Sequence, residues 1–183
     1  DIWLAFPRNH HDGAGNFDRL YISVAAERPT RGKIEYIENG RTTERVFFIA
    51  ADNIETFEFP FFNLELSAQG ISRNAFHITA DEEVTVYGLN LANTTSDAFL
   101  ASPTDVLGKE YIVASYTSNV LFQTSLGVRF INRAQSTMSQ FAVLAVADST
   151  IVRITPKHKT WNGDSTTYSI LLNEGEGDLV SVF

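Results

Sequence analysis

Apolar and polar residues alternate with a period of two along most of this chain, and no other feature constrains its fold as much. In the segment LYISV, Leu20, Ile22 and Val24 share one face, and in AFHITA Phe76 and Ile78 do the same. This alternation predicts strands with one buried face. It recurs in TFEF, EVTVYG, LGVRFI, FAVLAV, TIVRIT and TYSILL.

Sequences that form turns separate these segments. They are RNHHDGAGN, ENGR, AADN, TADEE, VADS, WNGD and NEGEGD, and they are rich in residues that favour turns. Short strands at regular spacing, without long helical patterns, are typical of all-β sandwiches and barrels. We therefore predict an all-β fold of the antiparallel β-sandwich type, with no helix of three turns.

The order of the segments occurs twice. Residues 20–59 and 141–182 each run as strand, acidic turn, strand, strand, short turn and strand. This predicts an internal duplication, with a first β half-domain over residues 1–97 and a second over 98–183. Because the second copy stops inside the alternating run DLVSVF, we expect a longer polypeptide and an unpaired strand edge there.

The alternation stops in the stretch SDAFLASPTDVLGKEYIVASY. Ser102 and Pro103 suit a helix N-cap and first turn, and Gly108 suits the residue after a helix. The stretch thus predicts a tight corner between the two copies, anchored in the core by residues 98–100 and 106–107. Alternation restarts at 110–116, where we predict another strand.

Composition excludes several classes of function. The net charge of −8 and the pI of about 4.9 disfavour binding to nucleic acid or to an anionic membrane surface. The chain has no cysteine, which excludes disulfides, thiolate catalysis and cysteine-ligated metals. No apolar run approaches the roughly 18 residues that would cross a bilayer, so we predict no membrane insertion.

The candidates for a metal site are weak. Asp97 and Asp105 flank the corner, but we expect Asp97 to bond to amides of its own turn and Asp105 to lie in a first helical turn. The segment HHDGAGNFD fits neither zinc-ligand spacing nor the order of a calcium loop. We interpret it as a solvated loop and predict no metal and no cofactor. The residues of this segment that could serve as metal ligands are His10, His11, Asp12 and Asp18.

Catalysis also lacks a pattern. His77 and His158 stand singly in or beside strands, which is typical of surface histidines. Glu82 and Glu83 lie in a tight turn, and GISRN is not the Gly-x-Ser-x-Gly of a hydrolase. We predict no catalytic residue and assign no binding residue.

Aromatic residues offer a further candidate surface. The stretch FEFPFFNLEL carries Phe57, Phe59, Phe61 and Phe62, which we expect to pack in the core, with an apolar patch for a partner or glycan as the alternative. Trp161, in a predicted loop, is either a contact residue or packed inward. Asn93 begins a glycosylation sequon, Asn-Thr-Thr.

Several blocks carry a family resemblance. LAFPRN, LYISVAAE, HITADEEVTVYGLN, SDAFLASPTDVLGKEYIVASY and SQFAVLAVADSTIVRITP together resemble the IgG Fc-binding protein N-terminal domain, in order and over most of residues 1–183. Ser102 departs from the aliphatic residue usual in that family before the proline. The resemblance implies an extracellular module, joined to further domains. The absence of cysteine fits a bacterial surface or secreted member.

Three functions remain open from the sequence. The first is a non-enzymatic adhesion or binding module of a cell-surface or secreted protein that recognises protein or glycan, with immunoglobulin Fc as one candidate ligand. The second is a carbohydrate-active enzyme domain or its accessory module, which needs two carboxyls facing one cleft. The third is a spacer that holds another domain away from the cell.

Overall fold

A computed structural model of the protein describes residues 1–9, 18–66, 70–92, 95–114, 121–124, 127–130 and 139–182. For residues 121–124 and 127–130 it describes the backbone alone. The described residues form fourteen strands: β1 (Ile2–Ala5), β2 (Arg19–Ala26), β3 (Thr30–Glu38), β4 (Arg41–Ile49), β5 (Asn53–Pro60), β6 (Ala75–Ala80), β7 (Val84–Leu91), β8 (Ser96–Ala101), β9 (Leu121–Thr124), β10 (Gly127–Phe130), β11 (Ser139–Leu144), β12 (Thr150–Ile154), β13 (Tyr168–Leu172) and β14 (Gly177–Val182). Their one helical element is a 3-10 turn over Thr104–Val106.

The first eight strands form two four-stranded sheets that enclose one core. Their orders are β1-β6-β3-β4 and β5-β2-β7-β8, and every pair of strands is antiparallel. Leu20, Ile22 and Val24 on β2 have no exposed surface, because the alternation puts all three on the face that meets the other sheet. The predicted all-β, antiparallel sandwich fold is confirmed.

Aromatic rings join the two sheets. Phe59 of one sheet lies 5.1 Å from Tyr36 and 5.0 Å from Phe76 of the other, measured between ring centroids. Arg45 places its guanidinium 4.3 Å from the Phe59 centroid and donates a hydrogen bond to the Glu58 carbonyl. Edge-to-face contacts and cation–π stacking thus add to the burial of apolar area that holds the sandwich together.

A polar network closes one end of the sandwich. Asn90, which is buried, donates from Nδ2 to the Pro7 carbonyl at 3.0 Å and to Glu65 Oε1 at 2.6 Å. Asn9 donates its backbone N–H to the same Glu65 oxygen and accepts a hydrogen bond from the Thr95 hydroxyl. Two blocks of the family resemblance, LAFPRN and HITADEEVTVYGLN, therefore meet through hydrogen bonds that satisfy the buried Asn90 amide, which is a structural role.

Residues 139–182 pair in the same scheme as residues 19–60. In the first region β2 pairs with β5 and β3 with β4, and both ladders are centred on the turn at Asn39 and Gly40. In the second, β11 pairs with β14 and β12 with β13, and both ladders are centred on Thr160 and Trp161. Strands β9 and β10 form a separate hairpin.

The corner differs from its prediction. Residues 96–101 form the edge strand β8, so Leu100 faces outward and is 60% exposed, while Phe99 packs against the core. Val106 and Leu107 are also exposed, since the 3-10 turn lies beyond the end of β8. Its ties are polar: Thr104 donates its N–H to the Asp1 carbonyl at 3.0 Å and its hydroxyl to Asp1 Oδ2 at 2.8 Å. The predicted hydrophobic anchoring by Ala98, Leu100, Val106 and Leu107 is wrong.

One further prediction needs correction. Residues 110–114 form no strand, and Ile112 is fully exposed, because no neighbouring strand among the described residues pairs with them. The edge of β14 away from β11 has backbone partners at its two ends. Ser72 and Gly177 exchange backbone hydrogen bonds at one end, and Trp161 donates its N–H to the Ser181 carbonyl at the other.

Candidate binding pocket beside Trp161

The connection between β12 and β13 is longer than their pairing requires. Two residues, Asn39 and Gly40, close the corresponding β3–β4 hairpin in the left-handed conformation that suits such turns. Residues 155–167 connect β12 to β13. The hydroxyls of Thr155 and Thr167 lie 2.9 Å apart. The first residue after β12 and the last residue before β13 therefore still face each other. The remaining residues are available to build a loop.

Backbone hydrogen bonds hold this loop against β14. Thr160 is buried, donates its N–H to the Asp164 carbonyl at 2.8 Å and accepts from the Gly163 N–H, where a φ of 99° requires glycine. The Asp164 N–H in turn donates to the Thr160 hydroxyl at 3.0 Å. With the Trp161 bond to Ser181 at 2.9 Å, the loop is fixed to the strand edge.

A cavity of about 200 Å³ lies between the loop and the two ladders. Trp161 and Asp164 line it from the loop, Tyr168 and Ile170 from β13, and Asp178 from β14. Trp161 lines the cavity and remains 38% exposed. The residues that line the cavity thus include a partly exposed tryptophan, two aspartates and a tyrosine.

The cavity is electronegative. Burial raises the pKa of Asp178 above its usual value, partly opposed by a hydrogen bond from the Leu179 backbone. The pKa of Tyr168 is raised by burial first, and then by the negative charges of Asp164 and Asp178. Within the described part of the chain, neither carboxylate forms an ion pair. The Lys159 side chain lies beside Gly163, next to Asp164 in the loop, without forming an ion pair with either carboxylate.

The cationic side chains of a second concavity, of about 310 Å³, already contact other groups of the protein. It is lined by Arg31 and Lys33. The Lys33 ammonium lies 2.9 Å from Glu35 and 3.8 Å from Glu44, and the Arg31 guanidinium lies 6.0 Å from the Phe48 ring centroid. This concavity is therefore a weaker candidate for a charged ligand than the cavity beside Trp161.

His77 lies on the outer face of its sheet. Its ring stacks on Trp3 with centroids 4.0 Å apart, and Nε2 lies within hydrogen-bond distance of Asp1. Burial lowers the pKa of His77, and the negative charge of Glu35 partly opposes this shift. A neutral ring with its proton on Nε2 still donates to Asp1. The arrangement is that of a packed cross-strand side chain.

The structure describes three of the candidate metal ligands, Asp18, Asp97 and Asp105. Asp105 lies in the first turn of the 3-10 helix, as expected, but Asp97 lies in strand β8 and not in a turn, which corrects that expectation. Asp18 is 1% exposed. His10, His11 and Asp12 lie outside the described residues. Among the residues that are described, no group of three or more His, Cys, Asp or Glu could hold a metal ion.

The other candidates are dispersed. Glu82 and Glu83 are exposed in the β6–β7 turn, where Glu82 lies 3.6 Å from Arg28, and His158 is exposed in the loop after β12. Phe57 and Phe59 are buried and Phe61 packs against the core, whereas Phe62 is 71% exposed. Asn93 and Thr94 of the sequon lie outside the described residues.

The sequence did not indicate three of the residues that line the cavity. Asp164 falls in a turn signal, and Tyr168 and Asp178 belong to strands, so none looks unusual in its own segment. The available signal was the length of chain between TIVRIT and TYSILL, which exceeds what a hairpin needs.

The family comparison agrees with the sequence resemblance. Residues 97–177 match the family described as IgGFc binding protein. The predicted resemblance is therefore confirmed over these residues, which include Trp161, Asp164 and Tyr168. The blocks LAFPRN, LYISVAAE and HITADEEVTVYGLN lie outside the match. No curated protein and no solved structure matches the chain. No helix in the described parts of the chain is long and apolar enough to cross a membrane.

Proposed function

We propose that the protein is a non-enzymatic binding module of an extracellular or cell-surface protein, in which it recognises another protein. The match of residues 97–177 to the IgGFc binding protein family carries this proposal. The cavity beside Trp161 supports it, because an accessible aromatic side chain beside polar groups is typical of contact sites. We further propose a bacterial surface or secreted protein, on the sequence resemblance and the absence of cysteine.

The charge of the chain favours a partner with a positively charged surface. The net charge is −8, so positively charged partners approach faster and phosphate backbones are repelled. Immunoglobulin Fc is the first candidate, because it is the ligand that describes the matched family. A glycan is the second candidate, since exposed tryptophan also suits sugar rings.

Surface plasmon resonance tests this function. Fc fragments are passed at micromolar concentrations over the immobilised chain, beside a panel of cationic and anionic proteins and free glycans. Saturable binding of Fc, or of one cationic protein, supports a protein-binding module. Flat traces for Fc remove that ligand, and saturable binding of glycans alone contradicts the proposal of a protein partner.

We propose that the chain is duplicated, with a first half-domain that acts as a scaffold and a second that carries the binding surface. The repeated scheme of strand pairing supports this organisation. Strand β8 completes a sheet of the first half-domain, so we place the end of that half-domain after Ala101 and not at residue 97.

The enzyme alternative has one observation in its favour. Asp164 and Asp178 line the same cavity, as a glycosidase would require of two carboxyls. Against it, a cavity of about 200 Å³ is small for a glycan cleft, and Asp164 Oδ2 already accepts a bond from the Thr160 hydroxyl at 3.3 Å. Release of reducing sugar from mucin-type or plant glycans by the chain, lost in Asp178→Asn, would favour the enzyme.

A further inference from the structure

The loop over residues 155–167 is built where the fold does not need one. Its counterpart at Asn39 and Gly40 shows that two residues close a hairpin of this pairing scheme. Long ordered loops in compact domains are usually functional. The backbone hydrogen bond from Trp161 to Ser181 fixes this loop to the edge of β14. The cavity lies between the loop and the strands.

The lining of the cavity selects the charge of its ligand. Asp164 and Asp178 present carboxylates that form no ion pair within the described part of the chain. A neutral guest would leave both charges uncompensated in a partly desolvated site, which is unfavourable. A cation would form charge-assisted hydrogen bonds with them and lie against the aromatic side chain of Trp161.

We propose that the cavity beside Trp161 binds one ammonium or guanidinium group, supplied by a lysine or arginine side chain of the protein partner. Asp178 and Asp164 accept hydrogen bonds from the cation, and Trp161 packs along its aliphatic stem. This inference deepens the proposed function and rests on it.

The volume distinguishes this ligand from a sugar chain. A cavity of about 200 Å³ holds the end of one side chain, whereas sites for larger ligands enclose about 300–1,000 Å³. Burial raises the pKa of both Asp178 and Tyr168, and the negative charges of Asp164 and Asp178 add to the shift of Tyr168, so the site is partly desolvated.

Nuclear magnetic resonance of the 183-residue chain tests the proposal directly. The chain has two tryptophans, so its ¹⁵N spectrum shows two indole N–H signals, and Trp161→Phe assigns the one at the cavity. The Trp3 signal, which belongs to a ring stacked on His77, is the internal control. The probes are Nα-acetyl-lysine methylamide, its arginine analogue, the uncharged Nα-acetyl-norleucine methylamide and methyl β-N-acetylglucosaminide.

We expect the lysine or arginine probe to shift the Trp161 signal saturably, with a Kd of about 1 mM or above for so small a ligand. The norleucine probe should leave both signals in place. Asp178→Asn should weaken binding at least about tenfold, whereas Asp52→Asn, which removes the same charge from a distant turn where asparagine tolerates the φ of 56°, should not. Higher salt should weaken binding.

Equal shifts by the norleucine probe, or a shift by the glucosaminide alone, overturn the cation site. An unchanged Kd in Asp178→Asn overturns it as well, provided that the Trp3 signal shows a folded chain. If Asp178→Asn unfolds, Asp164→Asn replaces it with the same expectation.

The failure of this inference can be told apart from the failure of the proposed function. If the chain binds a partner protein equally with and without the Asp178 carboxylate, the proposed function stands and the cation site is ruled out. A chain that binds the lysine probe and no protein keeps the cation site and loses the function.

Discussion

The two regions of this chain share a pairing scheme and use it differently. In residues 19–60 the two ladders face each other across a shared aromatic core, and a two-residue turn closes the inner hairpin. In residues 139–182 the same scheme carries a long loop at its centre, and Ile151 and Leu171 are exposed on the outer faces of the inner ladder. One arrangement of strands can therefore carry at its centre either a two-residue turn or a long loop that encloses a cavity.

The largest expected effect is a loss of stability when the core of the first region is truncated. Phe59→Ala removes a ring without exposed surface that contacts Tyr36 and Phe76, so we expect a loss of about 3–5 kcal/mol in the free energy of unfolding. Phe48→Ala, at a ring that is 61% exposed on the outer face, should change it by about 0.5 kcal/mol or less. Urea unfolding measures both, and equal losses would contradict the assignment of the two faces.

The corresponding test in the second region uses two adjacent leucines of β13. Leu172 has no exposed surface and Leu171 is 56% exposed. We expect Leu172→Ala to cost about 2–5 kcal/mol and Leu171→Ala about 0.5 kcal/mol or less. Urea unfolding measures the free energy of unfolding of both variants. If Leu172→Ala cost as little as Leu171→Ala, the second region would lack the packed interior that distinguishes its two faces.

The smallest effect concerns the outer face of the first region. Because burial lowers the pKa of His77 below its usual 6.5, the unfolded chain takes up this proton at a higher pH than the folded chain. The free energy of unfolding should therefore fall as the pH decreases from about 6.5 through the lower pKa of the folded state. The charged groups that act on His77 are Glu35 and Glu174, which raise its pKa, and the N-terminal ammonium of Asp1 and Lys33, which lower it.

Titration of the His77 ring signals by NMR measures the folded pKa, and urea unfolding between pH 5 and 8 measures the stability. His77→Gln should remove this part of the pH dependence. His158→Gln, at an exposed loop residue, should retain it. A His77 pKa at or above 6.5 would show that the carboxylates around the ring outweigh its burial.

The sequence predicts what local patterns determine. Alternation identifies the buried faces of β2, β5 and β6, and Asn39–Gly40 identifies a hairpin turn, because side-chain direction and backbone conformation follow from neighbouring residues. It fails at residues 96–101, where a proline and a glycine nearby suggest a corner although the segment pairs with β7. It also fails at the cavity, because Asp164 and Tyr168 come near Asp178 only where the loop after β12 bonds to β14, a contact that no local pattern encodes.

One variant tests the central claim that the long loop converts a scaffold hairpin into a binding site. Residues 156–166 are replaced by Asn-Gly, the turn that closes β3 and β4, so that Thr155 and Thr167 flank it. The loss of the bonds from the loop to β14 should cost about 1–3 kcal/mol. We predict that the far-ultraviolet circular dichroism spectrum stays that of a β protein and that the lysine probe, followed by isothermal titration calorimetry, no longer binds. A folded variant that binds the probe as the parent chain does would contradict the claim.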